Sequence, residues 1–255
     1  MKLKDSLVSV ILPVYNAEKH LKECLQSLLS QNYPFIQIIA IDDHSKDNSF
    51  KILKQFQKQY KGLEVSRNKK RYGPAICYNR ALKSARGRFI AFMNPSDINA
   101  ISRLKRQVNF LQRNPRTVAV GTQYTGIDET SRKLERSNMP QENDTIYDTM
   151  IQASSLHPET IMVDRTLLPK DLLYFRSNKY PFIFTEVFVK FFQYGKVANI
   201  AQSLYFHREG VKRYGRKVST FRTILTMIKL WFTSRQYYNY RPNLRIIFPN
   251  LIKGI

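Results

Sequence analysis

The chain has 255 residues, 43% of them hydrophobic, which is enough to bury one large core and too apolar for a disordered polymer. Its 42 Lys and Arg stand against 19 Asp and Glu, a formal net charge of +23 that favours anionic partners without saying which kind. Two cysteines, Cys24 and Cys77, are too few for a disulfide framework, and no run reaches the roughly 18 apolar residues of a membrane-spanning helix.

The charged start Met1-Lys2-Leu3-Lys4-Asp5 makes a poor signal peptide. Residues 7–12 are rich in β-branched side chains and predict a strand that stops at Pro13, whose missing N–H suits a central ladder badly. A helix follows, capped by Asn16, with Leu21, Cys24, Leu25, Leu28 and Leu29 on one stripe. Residues 35–41 form a second strand, apolar on both faces as in a helix-covered parallel sheet. Asp42 and Asp43 end it. Ser45 or Asp47 caps a helix with Phe50, Leu53 and Phe56 inward, and residues 63–65 make a third strand. Gly73-Pro74 opens a helix over 75–85, ended by Gly87 before a strand over 88–93. Ile101, Leu104, Val108 and Leu111 mark another helix, and residues 117–120 another strand. Strand and helix thus alternate at crossover spacing through residue 120, the pattern of an open α/β sheet. Beyond it, residues 128–148 read as a polar surface excursion, 180–194 as a helix, 197–200 and 204–207 as strands, and 218–240 as one amphipathic helix.

Open α/β sheets bind ligands at the carboxyl ends of their strands, where Asp42, Asp43 and Asp97 fall. No Gly-x-Gly-x-x-Gly follows the first strand and no Gly-rich stretch ends in Gly-Lys-Ser/Thr, so neither a dinucleotide fingerprint nor a P-loop is present. A carboxylate at such an end can accept from a base or ribose, or hold a hard cation. From spacing alone, Asp42-Asp43-His44-Ser45 reads equally as a capped strand-to-helix turn. Asn94-Pro95-Ser96-Asp97 leaves one Asp where a divalent metal and a diphosphate usually take two or more.

Three segments, Val8-Ser9-Val10-Ile11-Leu12-Pro13-Val14-Tyr15-Asn16-Ala17-Glu18, Ile41-Asp42-Asp43-His44-Ser45-Lys46-Asp47-Asn48-Ser49 and Gly87-Arg88-Phe89-Ile90-Ala91-Phe92-Met93-Asn94-Pro95-Ser96-Asp97, occur in the order that resembles family 2 of the inverting, nucleotide-sugar-dependent glycosyltransferases. The resemblance runs over about residues 5–120. A weaker echo follows at His157-Pro158, Gly195-Lys196 and Leu204-Tyr205-Phe206-His207-Arg208. It implies an α/β GT-A fold, a Rossmann-like, mostly parallel sheet flanked by helices. A domain over 1–210 would carry a nucleotide half (about 1–120) and an acceptor half (about 121–210), with a basic amphipathic extension over 211–255.

The resemblance also implies roles. Pro13 and Tyr15 would line the nucleotide pocket, and Asp43 would contact the base, commonly uracil. Asn79 matches the Asn of the family's Ala-Arg-Asn segment, but Tyr78 replaces the Arg and removes a rigid multi-donor group. Of the family's Asp-x-Asp-Asp only the last, Asp97, survives as the expected partner of Mn²⁺ or Mg²⁺, and Ser96 takes the ribose-side place. An inverting transfer needs a base for the acceptor hydroxyl. The family's Glu-Asp pair, counted back from Gly195, falls on Ile183-Phe184, so Glu186 becomes the candidate base, or else a surface or capping Glu. His157 would approach the diphosphate or metal, while His207 ends a strand and reads as structural.

The implied activity is transfer of a sugar from a nucleoside diphosphate donor, UDP-sugar foremost, to a surface glycan, lipooligosaccharide or lipid-linked acceptor. The altered motifs also admit a catalytically inactive GT-A domain serving as a binding or scaffolding partner. From Gly210 onward there is no Asp or Glu, and cations interleave with aromatic and aliphatic residues. One reading is a helix on an anionic membrane surface, placing the protein peripherally at the cytoplasmic face of the inner membrane. The other is a helix packed on the domain with a solvated basic face. Lys69-Lys70-Arg71-Tyr72 and the tail offer cations and rings to nucleic acid, but no nucleic-acid-binding motif accompanies them, so no specific nucleic-acid partner is expected.

Overall fold

The structure, a computed structural model, describes residues 6–152, 154–176, 183–211 and 220–242. Its first half alternates strand and helix as expected: β1 (Val8–Val14), α1 (Glu18–Leu29), β2 (Ile36–Asp42), α2 (Ser49–Gln59), β3 (Leu63–Arg67), α3 (Pro74–Ser84) and β4 (Phe89–Phe92). The second half adds β5 (Ile98–Asn99), α4 (Arg103–Arg113), β6 (Thr117–Ile127), β7 (Lys133–Arg136), α5 (Asn143–Thr149), β8 (Met162–Asp164), α6 (Thr185–Phe188), β9 (Lys196–Arg208) and α7 (Thr220–Tyr237). All the strands join one sheet of order β3-β2-β1-β4-β8-β6-β9-β5, with β7 beside β6. β3, β2, β1 and β4 run parallel, β8 runs antiparallel to β4 and β6, and β6 and β9 are parallel.

Strand alternation divides the core into two layers. Val8, Val10, Leu12 and Val14 face the layer that holds Leu21, Leu25 and Leu53, whereas Ile11, Ile39 and Ile41 face Cys77, Phe92, Phe184 and Phe188. Both faces are covered, which is why β1 and β2 read as unbroken apolar runs.

β1 continues through Pro13, contrary to the expected stop. The Val14 carbonyl accepts from Asp43 N on the β2 side and the Ile11 carbonyl from Met93 N on the β4 side. Alternation therefore turns Pro13 toward β4, whose pairing with β1 ends at Ile11↔Phe92, so no ladder partner is deprived. Nor does Asn16 cap α1. It sits at φ +47 and its Oδ1 accepts from Lys46 N, while Ala17 N and Glu18 N donate to Ser49 Oγ (2.8 Å) and Asp47 Oδ2 (3.1 Å). The turn before α2 thus supplies the acceptors that the start of α1 lacks.

The second half departs further. The excursion over 128–148 contains β7 and α5, and the two strands expected over 197–207 are one continuous β9. Of the helix expected over 180–194, the described part holds only α6 and a short 3₁₀ turn, with 180–182 outside the described residues. In the basic extension, 212–219 and 243–255 are likewise outside them. Tyr240 is fully buried and stacks on Phe192, and its hydroxyl donates to the Tyr147 carbonyl (2.5 Å), so this part of the extension packs into the core. Phe232 and Tyr237 of α7 stay 61% and 66% exposed. No helix among the described residues is long and apolar enough to cross a membrane.

Candidate functional site

β1 lies between β2 and β4, where the chain order reverses from β3-β2-β1 to β4. Such a switch point leaves a crevice outside the carboxyl ends of the strands. Tyr15 after β1, Asp42 and Asp43 at the end of β2, and Asn94 to Asp97 after β4 converge there.

On the β2 side, Asp43 is completely buried and accepts three hydrogen bonds: Asn68 Nδ2 (2.6 Å) and Tyr72 N (2.9 Å) to Oδ1, and Gly73 N (2.8 Å) to Oδ2. Gly73 holds φ +91 at the start of α3, a region that favours glycine and that turns its N–H toward the carboxylate. Asp43 thereby fixes the loop between β3 and α3. Asp42 is also buried. Its Oδ2 pairs with Arg67 Nε (3.0 Å) and takes Ser45 N (3.2 Å), while its Oδ1 has no hydrogen-bond partner among the described residues. A buried acceptor without a donor is costly, and here it belongs to the residue that ends β2. The Arg71 guanidinium, in the loop between β3 and α3, lies 4.0 Å from the centroid of the Tyr15 ring, a cation–π contact joining that loop to the end of β1. Burial, reinforced by the Asp43 carboxylate, pushes the Cys77 thiol up to about 12, so it packs beneath the site as a neutral group.

On the β4 side, Asp97 is completely buried. Tyr205 Oη donates to its Oδ2 (2.8 Å), the Arg208 backbone N donates to its Oδ1 (2.8 Å), and His207 Nδ1 lies 3.5 Å from Oδ2. Arg208 is buried as well. Its guanidinium donates to the Ser96 carbonyl (2.9 Å), the Asp128 carbonyl (2.7 Å), Ser131 Oγ (3.0 Å) and Glu23 Oε2 (2.5 Å). One side chain thus ties the Asn94–Asp97 turn to β9, α1 and the turn after β6. Ser96 is buried, with its N–H on Asn94 Oδ1 (3.0 Å). His157 packs edge-on against His207 with ring centroids 4.5 Å apart, and its Nδ1 lies 3.2 Å from Glu159 Oε2. The structure therefore brings His157, His207 and Asp97 into one cluster.

Two other sequence candidates have different surroundings. Asn79 donates to the Phe175 carbonyl (2.8 Å) and accepts from the Phe175 N–H (2.9 Å), so both ends of its amide fasten the segment after β8 to α3. Glu186 is half-buried in the single turn of α6. Burial pushes the Lys190 ammonium one turn later below its usual range, and the Glu186 charge opposes that shift. Ile183 and Phe184 are each 3% exposed. Phe184 packs on Tyr78 (5.0 Å between centroids), Phe175 (5.1 Å) and Phe92 (5.4 Å). The positions where the resemblance expects an Arg and an Asp thus hold two rings in contact.

Sequence reading missed Asn68, Arg71, Tyr205 and Arg208 as parts of the site. Tyr205 and Arg208 stand in a motif that was visible, but nothing local says that they close over Asp97, more than 100 positions away in the chain. Among the described residues no group of three or more His, Cys, Asp or Glu could hold a metal ion. Each Asp97 oxygen already takes a donor. This set fits a divalent cation only as one corner of a shell that a diphosphate would complete.

Comparison with known proteins bears on this crevice. The profile described as "Glycosyl transferase family 2" matches residues 9–172. An uncharacterized glycosyltransferase of Haemophilus influenzae is 31% identical over 159 residues, 62% of this chain and 62% of its own length. The UDP-Glc:alpha-D-GlcNAc-diphosphoundecaprenol beta-1,3-glucosyltransferase WfgD of Escherichia coli is 34% identical over 167 residues, 65% of this chain and 63% of its own. The putative teichuronic acid biosynthesis glycosyltransferase TuaG of Bacillus subtilis is 30% identical over 159 residues, 62% of each. The chain spans less than two thirds of the length of these relatives. Staphylococcus aureus TarS 1–349 in complex with UDP-GlcNAc superposes with a TM-score of 0.72 at 21% identity, over 89% of this chain and 66% of that one. The mannosyltransferase PcManGT of Pyrobaculum calidifontis, in complex with GDP-Man and Mn²⁺, gives 0.64 at 18% identity, over 91% and 65%. These two likenesses establish the shared GT-A fold.

Proposed function

Because the chain belongs to glycosyl transferase family 2, we propose that it moves a sugar from a nucleoside diphosphate, UDP foremost, to a surface glycan or lipid-linked acceptor with inversion. The observation that carries this reading is the convergence of Tyr15, Asp42, Asp43 and Asp97 on the switch-point crevice, where the family resemblance expects the nucleotide. In this reading the Tyr15 and Arg71 pair offers a stacking face to the base, and the buried Asp42 Oδ1 or the edge of Asp43 takes its N–H. Pro13 and Ser96 line the ribose side. Asp97, with His207 beside it, would hold a divalent cation that neutralises the leaving diphosphate. Asn79 acts from behind by fixing the segment after β8.

Glu186 then takes the acceptor hydroxyl proton as that oxygen attacks the anomeric carbon. The relative WfgD is named for a diphosphoundecaprenol acceptor, and an acceptor of this kind would set the enzyme at a membrane surface, with the exposed rings and cations of α7 facing it. One observation favours a second reading, a GT-A partner that binds without transferring: Tyr78 and Phe184 close the place of the family's Arg and Asp with an aromatic cluster.

Isothermal titration of the full chain with UDP, with and without Mn²⁺, tests the shared premise. Saturable binding is expected, weakened at least about tenfold by Asp43→Ala, which frees the loop held by three hydrogen bonds. Heats indistinguishable from dilution for UDP and GDP alike would remove the nucleotide pocket from the account.

A further inference from the structure

On the α3 side of the sheet a cavity of about 800 Å³ opens between α3 and the segment that follows β8. Its apolar lining comes from Ile76, Leu82, Ile90, Leu168 and Leu173. Its lining also includes four cations, Arg80, Lys83, Arg165 and Lys170, against the single carboxylate of Asp171. None of the four forms a salt bridge among the described residues. Arg80 reaches Asn68 Oδ1 and lies over the Tyr72 ring, while Arg165 donates to the Ala85 carbonyl (2.8 Å). Burial lowers Arg165 from its usual range, a cost that an anion beside it would relieve. At 54% exposure, the Tyr174 ring adds an amphipathic edge.

A largely apolar lining that carries four cations against one carboxylate matches a ligand with a hydrocarbon chain and a phosphate at one end. Nucleic acid would leave the apolar lining unused, and inorganic phosphate would leave it empty. The position of the cavity selects among lipids. β8 runs antiparallel to β4 with Phe89 opposite Asp164, so Arg165 lies at the amino end of β4, away from Asp97 at the other end. A lipid phosphate seated at the Arg165 end is therefore remote from Asp97 and serves as an anchor, while the Arg80 end of the cavity lies nearer the loop that Asp43 holds.

We propose that this cavity binds an anionic membrane phospholipid, its acyl chain along Ile76, Leu168 and Leu173 and its phosphate on Lys83, Arg165 and Lys170. The site is separate from the basic extension and does not depend on the transfer reading. It fixes the orientation of the domain on a bilayer, and through Arg80 and Asn68 it adjoins the loop that Asp43 holds.

Flotation of the full chain with phosphatidylcholine vesicles, with and without phosphatidylglycerol, tests it in combination with monomeric lysophosphatidylglycerol. The double variant Lys83→Gln/Lys170→Gln is expected to weaken binding to anionic vesicles by about thirtyfold, the worth of two interfacial cations. Lys51→Gln/Lys54→Gln, an equal charge change on α2, is expected to change it no more than about threefold. Lysophosphatidylglycerol should bind and raise the melting temperature where inorganic phosphate does not, and Leu173→Trp, which fills the apolar part of the cavity, should abolish that shift. Equal losses in the two double variants would overturn the cavity in favour of diffuse surface charge. A phosphate response matching that of the lysolipid would reduce it to a phosphate site.

Discussion

Arg208→Ala is expected to destabilise the protein by about 3 kcal/mol, lowering its melting temperature by roughly 6–12 °C at 2–4 °C per kcal/mol. Four partners on three separate elements converge on this guanidinium, and the side chain is fully buried. Truncation leaves the carbonyl of buried Ser96 without its donor, at about 1–3 kcal/mol, while the half-buried Asp128 carbonyl keeps the Ser131 N–H (3.1 Å). The Glu23 carboxylate is 42% exposed, so water can take over part of its ion pair, and for that reason the figure stays at the low end for a broken buried pair. Arg208→Lys should recover less than half of the loss, because a compact ammonium cannot reach donors' positions that a planar fork spans. The turn that presents Asp97 should loosen as well. Thermal melts of the three proteins provide the check, and a shift within 2 °C of wild type for Arg208→Ala would show that the network contributes little.

The second large effect is expected at Phe184. Its ring contacts Tyr78, Phe92, Phe175 and Phe188 and is 3% exposed. Phe184→Ala should cost about 3–5 kcal/mol, and Phe184→Leu under about 1.5 kcal/mol. Phe184→Asp, which restores the residue type that the family resemblance expects, should be worse than Ala, because a carboxylate among four rings is desolvated without a partner. It should add no transferase activity. Denaturant unfolding measures the first two, and an Asp variant as stable as wild type would mean that this position faces solvent and that the aromatic cluster is not its environment.

The fold was legible wherever period and punctuation coincided. Apolar runs over β1 and β2, the stripes of α1 and α4, and Gly73-Pro74 at the start of α3 each carry a local reason for their structure. Pro13 misled because its effect depends on which neighbour its missing N–H faces, and that is set by where β4 stops. Asn16 misled because a residue at φ +47 turns its amide to Lys46 instead of to the helix after it. The strand ends that build the crevice were readable from Asp42, Asp43 and Asp97. What holds them was not. Tyr205 and Arg208 reach Asp97 from β9, and Phe184 reaches Tyr78 from α6, contacts of high sequence separation that no window can contain. The second half was harder for the same reason, since β6, β8 and β9 meet through mixed pairing with three register shifts between β6 and β9, not through regular crossovers.

The central proposal, that this crevice transfers a sugar with Glu186 as the base, is tested most directly by mass spectrometry of products. The purified full chain is incubated with UDP- and GDP-sugar donors and a polyprenyl-diphosphate-linked acceptor. A product one sugar heavier than the acceptor is expected from at least one donor, reduced by a factor of at least about 10² in Glu186→Gln while that variant still binds UDP. UDP binding with no product from any donor, or a product formed equally well by Glu186→Gln, would contradict it.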